Sequence, residues 1–318
     1  MLPRLRQISS RFSPQKMSSY AQGFENAHEQ RTPIDLPIHG TIPTWLAGVL
    51  YRTGPGTTRI KSTNPAKPES IDVHHWFDGL AMHHRFEIHQ SKSPTNENGS
   101  SCWTTRVSYR SRKAAEHLEA RIAEDAAWPN VSFGQNPDPC QSLFRKFFTI
   151  FKDMRPAPHP PHPSSVSVGV TLTPNMPGWN NSPELASTLP IDEEQQTKRK
   201  SASGPRYLVA KTDADVLQLI DPDSLEPLAA ASYKRIDPRL DGQLSAAHGC
   251  RDKVSGAFYN YSCKLGGRFP TYKIFRIAHD GVTDILATIT DAPASYIHSI
   301  AMTARYVILC VWQAHLTK

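Results

Sequence analysis

Short, regularly spaced strands dominate the sequence from residue 206 onward, and this repetition constrains the fold more than any other feature. Turn signals such as Asp221-Pro222, Gly266-Gly267 and Asp280-Gly281 separate stretches rich in β-branched and aromatic residues. The pattern predicts an all-β sandwich, barrel or propeller, and periodicity alone does not choose among the three. The predicted strands are Tyr207–Lys211, Val216–Ile220, Ala257–Tyr261, Tyr272–Ile277, Asp284–Ile289 and Tyr306–Trp312.

The first half of the chain predicts the entry to this β domain together with one helix. Val49–Arg52 is predicted to be a strand that ends at the turn Gly54-Pro55-Gly56, and Asp78-Gly79 is predicted to be the turn of a hairpin. Trp103–Tyr109 has the composition of a strand. Ser111–Ala126 repeats apolar residues every four positions, which predicts a helix.

Composition limits the class of protein without naming a function. The 318 residues suffice for one large domain or two smaller ones, and the lack of a long apolar run predicts no transmembrane helix. The net charge of +7 suits an anionic partner surface, but an ordinary mildly basic soluble protein is the favoured explanation. Five cysteines without a C-x-x-C pair predict reduced intracellular thiols rather than a thiolate metal site.

Polar and low-complexity stretches suggest the domain boundaries. Residues 1–24 contain four cations and no acid, as mitochondrial presequences do, but their amphipathic pattern is poor and a disordered tail, or a start at Met17, is favoured. We therefore predict a disordered or targeting tail over residues 1–30 and one domain over residues 31–318. Low-complexity insertions are predicted near residues 91–101, 155–165 and 189–205, and the Pro/His tract in the second favours a linker over a weak metal site.

Fourteen histidines are candidate metal ligands, and most have structural explanations. The cluster around the sequence WFDG lies on predicted strands, where neighbouring residues alternate faces and cannot share one ion. Buried imidazoles that satisfy turn and strand polar groups are therefore favoured there. The four histidines of this cluster are His74, His75, His83 and His84.

His248 and His298 differ from the others because each stands at the start of a predicted strand pair. Small or apolar residues flank both, as in Ala246-Ala247 and Ile297. A histidine at a strand end can point into a central cavity and bind a metal. A satisfied core histidine is nevertheless the more frequent outcome for such a residue, so the residues alone leave both readings open.

Several blocks along the chain resemble the carotenoid oxygenase family in their order and spacing. That family includes retinal-forming dioxygenases, plant carotenoid cleavage enzymes and the vertebrate retinoid isomerase. The likeness extends from about residue 35 to the end, and the blocks look most similar to fungal members that cleave carotenes or torulene. They are Pro43–Gly48, Tyr51–Gly56, His75–Met82, Phe86, Tyr109–Arg112, Ala247–His248, Tyr259–Tyr261 and Tyr296–Thr303.

The resemblance implies a fold and a metal site. The family fold is a seven-bladed β-propeller, of which this chain would supply roughly the N-terminal half, with helical excursions on one face. Four histidines on inner strands hold Fe(II) in the family, and the resemblance implies that His248 and His298 are two of them. Neutral imidazoles suit Fe(II) and leave positions open for O2. Asp213 takes the place of a family glutamate that accepts a hydrogen bond from a ligand histidine, here implied to be His298, but it is shorter by one methylene.

The resemblance also implies that the metal site is incomplete in this sequence. The family's third and fourth histidines belong to segments with no counterpart here, and His315 matches no ligand segment. The implied function is an Fe(II)-dependent dioxygenase that cleaves one conjugated double bond of a carotenoid or apocarotenoid, with both atoms of O2 ending in two carbonyl products. The alternative is an inactive truncated fragment or pseudoenzyme, while a scaffold for protein partners lacks any repeat signature. No nucleic-acid partner is expected.

The segment Leu143–Lys152 predicts a membrane contact. If helical, it places four phenylalanines on one face among cations that suit anionic headgroups. A buried helix explains the same period, but resemblance to the family's membrane-docking region favours the membrane, and Cys140 matches a position proposed for lipidation in a vertebrate relative. A cytoplasmic, peripherally membrane-associated protein is expected, with mitochondrial import as the alternative. The four residues are Phe144, Phe147, Phe148 and Phe151.

Overall fold

Antiparallel strands account for most of the structure, a computed structural model that describes residues 19–92, 103–126, 162–189, 204–266 and 269–312. Helical segments within these residues are short. They comprise the α-helices α1 (Glu116–Asp125), α2 (Pro183–Ala186) and α3 (Tyr233–Ile236), and single 3-10 turns at Ser19–Phe24, Trp76–Asp78, Pro163–Ser165 and Trp179–Asn181.

Strands of two to thirteen residues make up the rest of the regular structure. In chain order they are β1 (Ile34–Leu36), β2 (Gly48–Thr57), β3 (Arg59–Lys61), β4 (Ser70–Asp72), β5 (Leu80–Lys92), β6 (Trp103–Lys113), β7 (Thr171–Pro174), β8 (Leu208–Lys211), β9 (Leu217–Ile220), β10 (Pro227–Ala231), β11 (Leu244–Ser245), β12 (Cys250–Arg251), β13 (Phe258–Lys264), β14 (Thr271–Ile277), β15 (Thr283–Ile289), β16 (Ala301–Met302) and β17 (Val307–Ile308).

Three successive sheets contain most of the described strands. The first has the order β1-β6-β5-β2, the second β10-β9-β8-β7 and the third β11-β13-β14-β15, where β12 also pairs with β13. Two-stranded pairs, β3 with β4 and β16 with β17, complete the described sheets, and none of these sheets closes on itself. The all-β prediction is confirmed. Each large sheet is built from neighbouring antiparallel strands, as in a propeller blade.

Apolar side chains between the second and third sheets form the largest core. Trp179, Phe258 and Phe275 are almost completely buried there, and Trp179 Nε1 donates to Thr188 Oγ1 at 3.1 Å. A separate core lies under the third sheet and includes Ile297, whose carbonyl oxygen accepts a hydrogen bond of 2.8 Å from Tyr261. The second core includes Ala246 and Ile297, so it holds the segments that carry His248 and His298.

The strand predicted over Val49–Arg52 does not end at Gly54-Pro55-Gly56, so that prediction is wrong. Instead β2 continues through these residues and places Pro55 opposite Ala81. Proline is tolerated there since β2 is an edge strand of its sheet and needs no further amide donor on that side. The register shifts between Pro55 and Thr57, and a Cβ at Gly79 would meet the Pro55 ring at 2.5 Å. The close approach of Met82 to Gly56 and of Pro55 to Gly79, rather than a chain reversal, explains these two glycines.

Two further predictions in the first half are also wrong. Asp78-Gly79 is not a hairpin turn, because Trp76–Asp78 is a 3-10 turn and β5 pairs with β2 and β6 instead. The predicted helix from Ser111 begins only at Glu116, since residues up to Lys113 continue β6 in register with β5. In both cases pairing with distant strands overrides the local pattern.

Part of the predicted tail belongs to the β domain. Ala27 N donates to Gly56 O at 2.7 Å, the Asn26 side chain accepts from Thr58 N at 2.8 Å, and Gln30 N donates to Ser111 Oγ at 2.9 Å. Residues 26–30 are therefore hydrogen-bonded to the strands of the β domain. Of the predicted insertions, residues 91–92 end β5 and residues 163–165 form a 3-10 turn, while 93–101, 155–161 and 190–203 lie outside the described residues.

Candidate metal centre

Backbone hydrogen bonds join the two histidine-bearing segments directly. His248 N donates to His298 O at 3.2 Å, and Ile300 N donates to His248 O at 3.3 Å, so His248 and Ser299 form a parallel bridge. His248 lies two residues before β12 and His298 three residues before β16. Ala246 and Ala247 are completely buried, so their small side chains fit where the segments meet the core. The ends of neighbouring strands therefore bring together residues that are far apart in sequence.

The two imidazole rings are in contact. Their centroids are 4.7 Å apart and their planes meet at 67°, an edge-to-face arrangement. His248 is exposed and His298 is half-buried. The two rings are therefore close enough to be considered as ligands of one ion.

Asp213 contacts His298 directly, although aspartate is short for the role that the resemblance implied. Its Oδ1 lies 2.8 Å from His298 Nδ1, and its side chain is mostly buried in the turn between β8 and β9. A carboxylate beside Nδ1 favours the imidazole proton on that nitrogen, which leaves the lone pair of Nε2 available to a metal. Burial raises the pKa of Asp213, while hydrogen bonds from Tyr296 and His298 oppose that rise.

Two other side chains hold this centre in place, and the sequence reasoning did not select them. Tyr296 donates its hydroxyl hydrogen to Asp213 Oδ2 at 2.7 Å, and its ring stacks on His298 at 6.2 Å. Thr171 Oγ1 donates to Ala247 O at 2.8 Å, which fixes the residue before His248. Tyr296 could have been suspected because residues two apart in an extended segment lie on the same side. No local signal marks Thr171.

A buried cation lies beside His248. Lys211 is 2% exposed, and its Nζ lies 4.7 Å from the centre of the Phe258 ring, a cation–π contact. Burial lowers the pKa of Lys211 to about 8. Burial, the His298 charge and the Lys211 charge together lower the pKa of His248. These effects favour the neutral imidazole, which is the form that binds metals.

Three of the four histidines around WFDG make local hydrogen bonds, namely His75, His83 and His84. His83 Nδ1 lies 2.9 Å from Thr53 Oγ1, and burial lowers the pKa of His83 to about 4. His84 Nδ1 lies 2.9 Å from the Tyr109 hydroxyl. The described structure offers no metal ligand set here.

The residues present suit one part of an iron site. Neutral imidazoles, one of them oriented by a carboxylate, are donors that Fe(II) accepts. Across the described ranges, however, no three or more histidine, cysteine, aspartate or glutamate side chains are grouped to hold a metal. His248 and His298 are therefore a pair of candidate ligands, and any further ligands must come from outside the described residues.

The predicted membrane-docking residues cannot be compared with the structure. Phe144, Phe147, Phe148, Phe151 and Cys140 all lie between residues 127 and 161, outside the described residues. In the part of the chain that is described, none of the helices has the length and apolar character needed to cross a membrane.

The described residues thus form antiparallel sheets in series, with two histidines in contact just before β12 and β16. Residues 23–318 match the family model described as retinal pigment epithelial membrane protein. The chain belongs to this family, that of the carotenoid cleavage oxygenases. The predicted family resemblance is thereby confirmed.

Curated relatives include fungal dioxygenases. The chain is 36% identical over 298 residues to a carotenoid dioxygenase of Neurospora crassa and 35% identical over 302 residues to a torulene dioxygenase of Gibberella fujikuroi. Each match covers 92% of this chain and 46% of the relative. The chain therefore spans about half the length of the curated relatives that it matches.

Solved structures with the same fold include an apocarotenoid oxygenase of Synechocystis, with a TM-score of 0.54 and 17% identity, matched over 91% of this chain and 48% of that one. A lignostilbene dioxygenase of Pseudomonas brassicacearum gives a TM-score of 0.50 at 17% identity, over 90% of this chain and 45% of that one. The predicted fold class is confirmed, since the chain supplies about half of the carotenoid oxygenase propeller.

Proposed function

We propose that this chain carries part of the iron centre of a dioxygenase that cleaves a conjugated double bond of a carotenoid or apocarotenoid to aldehydes. The observation that carries the proposal is the contact between His248 and His298, with Asp213 bound to Nδ1 of His298. Membership of the carotenoid oxygenase family and the names of the fungal relatives support the substrate class.

Each residue of the centre has a definable role in this proposal. His248 and His298 hold the metal through ring nitrogens, and bound Fe(II) supplies the means to bind and activate O2. Asp213 keeps the proton of His298 on Nδ1, so that Nε2 stays free to bind. Lys211 and burial favour neutral His248. A polyene offers almost no polar group, so apolar surfaces must select the double bond that reacts.

The alternative function is a catalytically inactive chain that binds iron weakly or not at all. The observation that favours it is the limit of two clustered histidines within the described residues. Two imidazoles hold Fe(II) less tightly than four, and fewer carboxylates orient them. Iron binding and catalysis therefore require separate tests.

Iron binding tests the assignment of the histidine pair. The purified chain is loaded anaerobically with Fe(II), desalted and assayed for iron per chain. Wild type should retain iron, while His248→Ala and His298→Ala should each lose it. His279→Ala, which removes an exposed histidine after β14, is the matched control and should retain iron. Equal iron in the His298→Ala variant and wild type would rule out the assignment.

Catalysis is tested by comparing this chain with a version extended to include two more strand-borne histidines. Both are loaded with Fe(II) and assayed for carotene bleaching and for aldehydes by chromatography. Aldehydes from the extended version alone would support the inactive alternative for this chain. Aldehydes from both at similar rates would mean that the residues of this chain complete the site. Iron-loaded protein that forms no aldehyde in either version would reject the proposed function.

Peripheral membrane association is proposed as the route to a substrate dissolved in lipid. Phe147 and Phe148, with the cations beside them, are the residues assigned to it. Wild type should co-sediment with anionic liposomes, and the double variant Phe147→Ser, Phe148→Ser should remain in the supernatant. Equal sedimentation of the two proteins would reject the membrane proposal without affecting the iron site. A cytoplasmic location is also proposed, because the cysteine pattern predicts reduced intracellular thiols.

A further inference from the structure

We infer that Tyr296 is a positioning residue for the candidate metal centre, acting through Asp213 to fix the ring orientation and the tautomer of His298. The inference rests on the proposed function for the role of the metal, while the hydrogen bonds that carry it join residues of this chain. It assigns a role to a side chain that does not itself bind the metal.

The geometry places two donors on the two oxygens of one carboxylate. Tyr296 donates its hydroxyl hydrogen to Asp213 Oδ2 at 2.7 Å, while His298 Nδ1 lies 2.8 Å from Asp213 Oδ1. The Tyr296 oxygen and His298 Nδ1 are 3.4 Å apart, so the three groups form a closed triangle. The Tyr296 and His298 rings are also stacked, with an angle of 24° between their planes.

Both contacts are needed to fix the carboxylate. The terminal torsion of aspartate is broad, so a single hydrogen bond to one oxygen lets the group rotate. A second hydrogen bond to the other oxygen defines the plane of the carboxylate and therefore the direction of the bond to His298.

The backbone holds Tyr296 at the required side. Tyr296 and His298 are two residues apart in an extended segment, so their side chains project in the same direction. Ile297 between them is 1% exposed, and its carbonyl oxygen accepts a hydrogen bond from the Tyr261 hydroxyl at 2.8 Å. Burial of Ile297 thus presents both flanking side chains to Asp213.

Loss of the Tyr296 hydroxyl has a defined consequence. Asp213 Oδ2 would lose its donor in a mostly buried position, where an unpaired oxygen is costly, so the carboxylate would turn toward another donor. His298 would then lose a fixed acceptor at Nδ1, and both neutral tautomers of its imidazole would become populated. A ring that carries its proton on Nε2 has no lone pair there for a metal.

The tautomer of His298 in the metal-free chain tests this inference. Nitrogen-15 NMR of the labelled protein should show His298 in wild type as a single tautomer with the proton on Nδ1. Tyr296→Phe keeps the ring and removes only the hydroxyl, and should give a mixture of tautomers. Tyr306→Phe removes an exposed hydroxyl and is the matched control, with no change expected. A folded Tyr296→Phe variant with the wild-type tautomer would overturn the inference.

A second measurement tests the route through Asp213. Tyr296→Phe should weaken Co(II) binding about 10-fold, the range found for partners of metal-binding histidines. In an Asp213→Ala background the same change should have no further effect, because its route is already removed. If Tyr296→Phe weakened Co(II) binding equally in both backgrounds, Tyr296 would not act through Asp213.

The NMR experiment remains decisive if a variant fails to fold. Wild-type His298 protonated on Nε2 would by itself refute the inference. Wild type that shows the Nδ1 tautomer but binds no metal would reject the metal assignment and leave the positioning contact intact.

Discussion

Replacing Lys211 with methionine should stabilise the metal-free protein at neutral pH. Lys211 is buried on β8, and its Nζ contacts the Phe258 ring rather than a carboxylate. No hydrogen bond or ion pair to Nζ forms within the described residues, so removing the charge leaves no partner unpaired. Methionine keeps an unbranched apolar stem of similar length and can pack against the same aromatic ring.

The size of the effect follows from the lowered pKa. The difference between the usual pKa of 10.5 and the value of about 8 corresponds to a cost of roughly 3 kcal/mol for the charged form in the folded state. The cation–π contact with Phe258 returns about 1–2 kcal/mol of that cost. Lys211→Met should therefore raise the free energy of unfolding by about 1–2 kcal/mol at pH 7, or about 2–6 °C in Tm.

The stability gained by Lys211→Met should depend on pH. Between pH 8 and 10.5 the unfolded chain holds the Lys211 proton while the folded chain has lost it, so wild type gains stability as pH rises through this range. The advantage of Lys211→Met should be full below pH 8 and shrink toward pH 10.5. Urea titrations at pH 7 and 10 measure this, with Lys253→Met on an exposed lysine as the control. A Lys211→Met variant less stable than wild type at pH 7 would refute the reasoning.

Three further changes test other parts of the structure. Asp215→Asn should raise the free energy of unfolding by up to about 4 kcal/mol at pH 8. Burial raises the pKa of Asp215 to about 7, so wild type loses stability as pH rises from about 4 to 7. Thermal melts of the two proteins at pH 5 and 8 measure the difference. Gly249→Ala should lower the free energy of unfolding by about 1–3 kcal/mol in urea titrations, because the new Cβ would lie 2.5 Å from the Phe258 ring. Trp179→Ala should cost about 3–5 kcal/mol in the same assay, because Trp179 is completely buried; no loss would contradict the assigned core.

Local sequence composition predicts strands well where the strands are short and bounded by turn residues. The strand predicted over Val216–Ile220 is observed as Leu217–Ile220, and Tyr272–Ile277 is observed as Thr271–Ile277. Prediction fails where distant pairing decides the outcome. Pro55 lies within β2 because that strand is at an edge of its sheet, and no pattern within ten residues of Pro55 contains this information.

The candidate site is less accessible to sequence reasoning than the fold. His248 and His298 are 50 residues apart, and their contact depends on a parallel bridge between the starts of different sheets. Composition and spacing left both as candidate core histidines, and only the likeness to a known family selected them. Their partner Tyr296 belongs to a segment that resembles the family, but its role becomes visible only when Asp213, more than 80 residues earlier, is placed beside it.

Asp213 and Asp215 show why residue type alone does not assign a site. Both lie in one short turn between β8 and β9, and burial raises the pKa of both carboxyl groups. Asp213 is held by side chains that arrive from beyond the third sheet, so both of its oxygens are engaged and one is directed at an imidazole. Asp215 instead accepts the backbone N–H of Tyr233 at 2.6 Å and remains inside the domain. The carboxylate that can serve a metal centre is therefore the one whose donors come from the neighbouring histidine-bearing segment, and that segment is supplied by tertiary structure rather than by the local sequence.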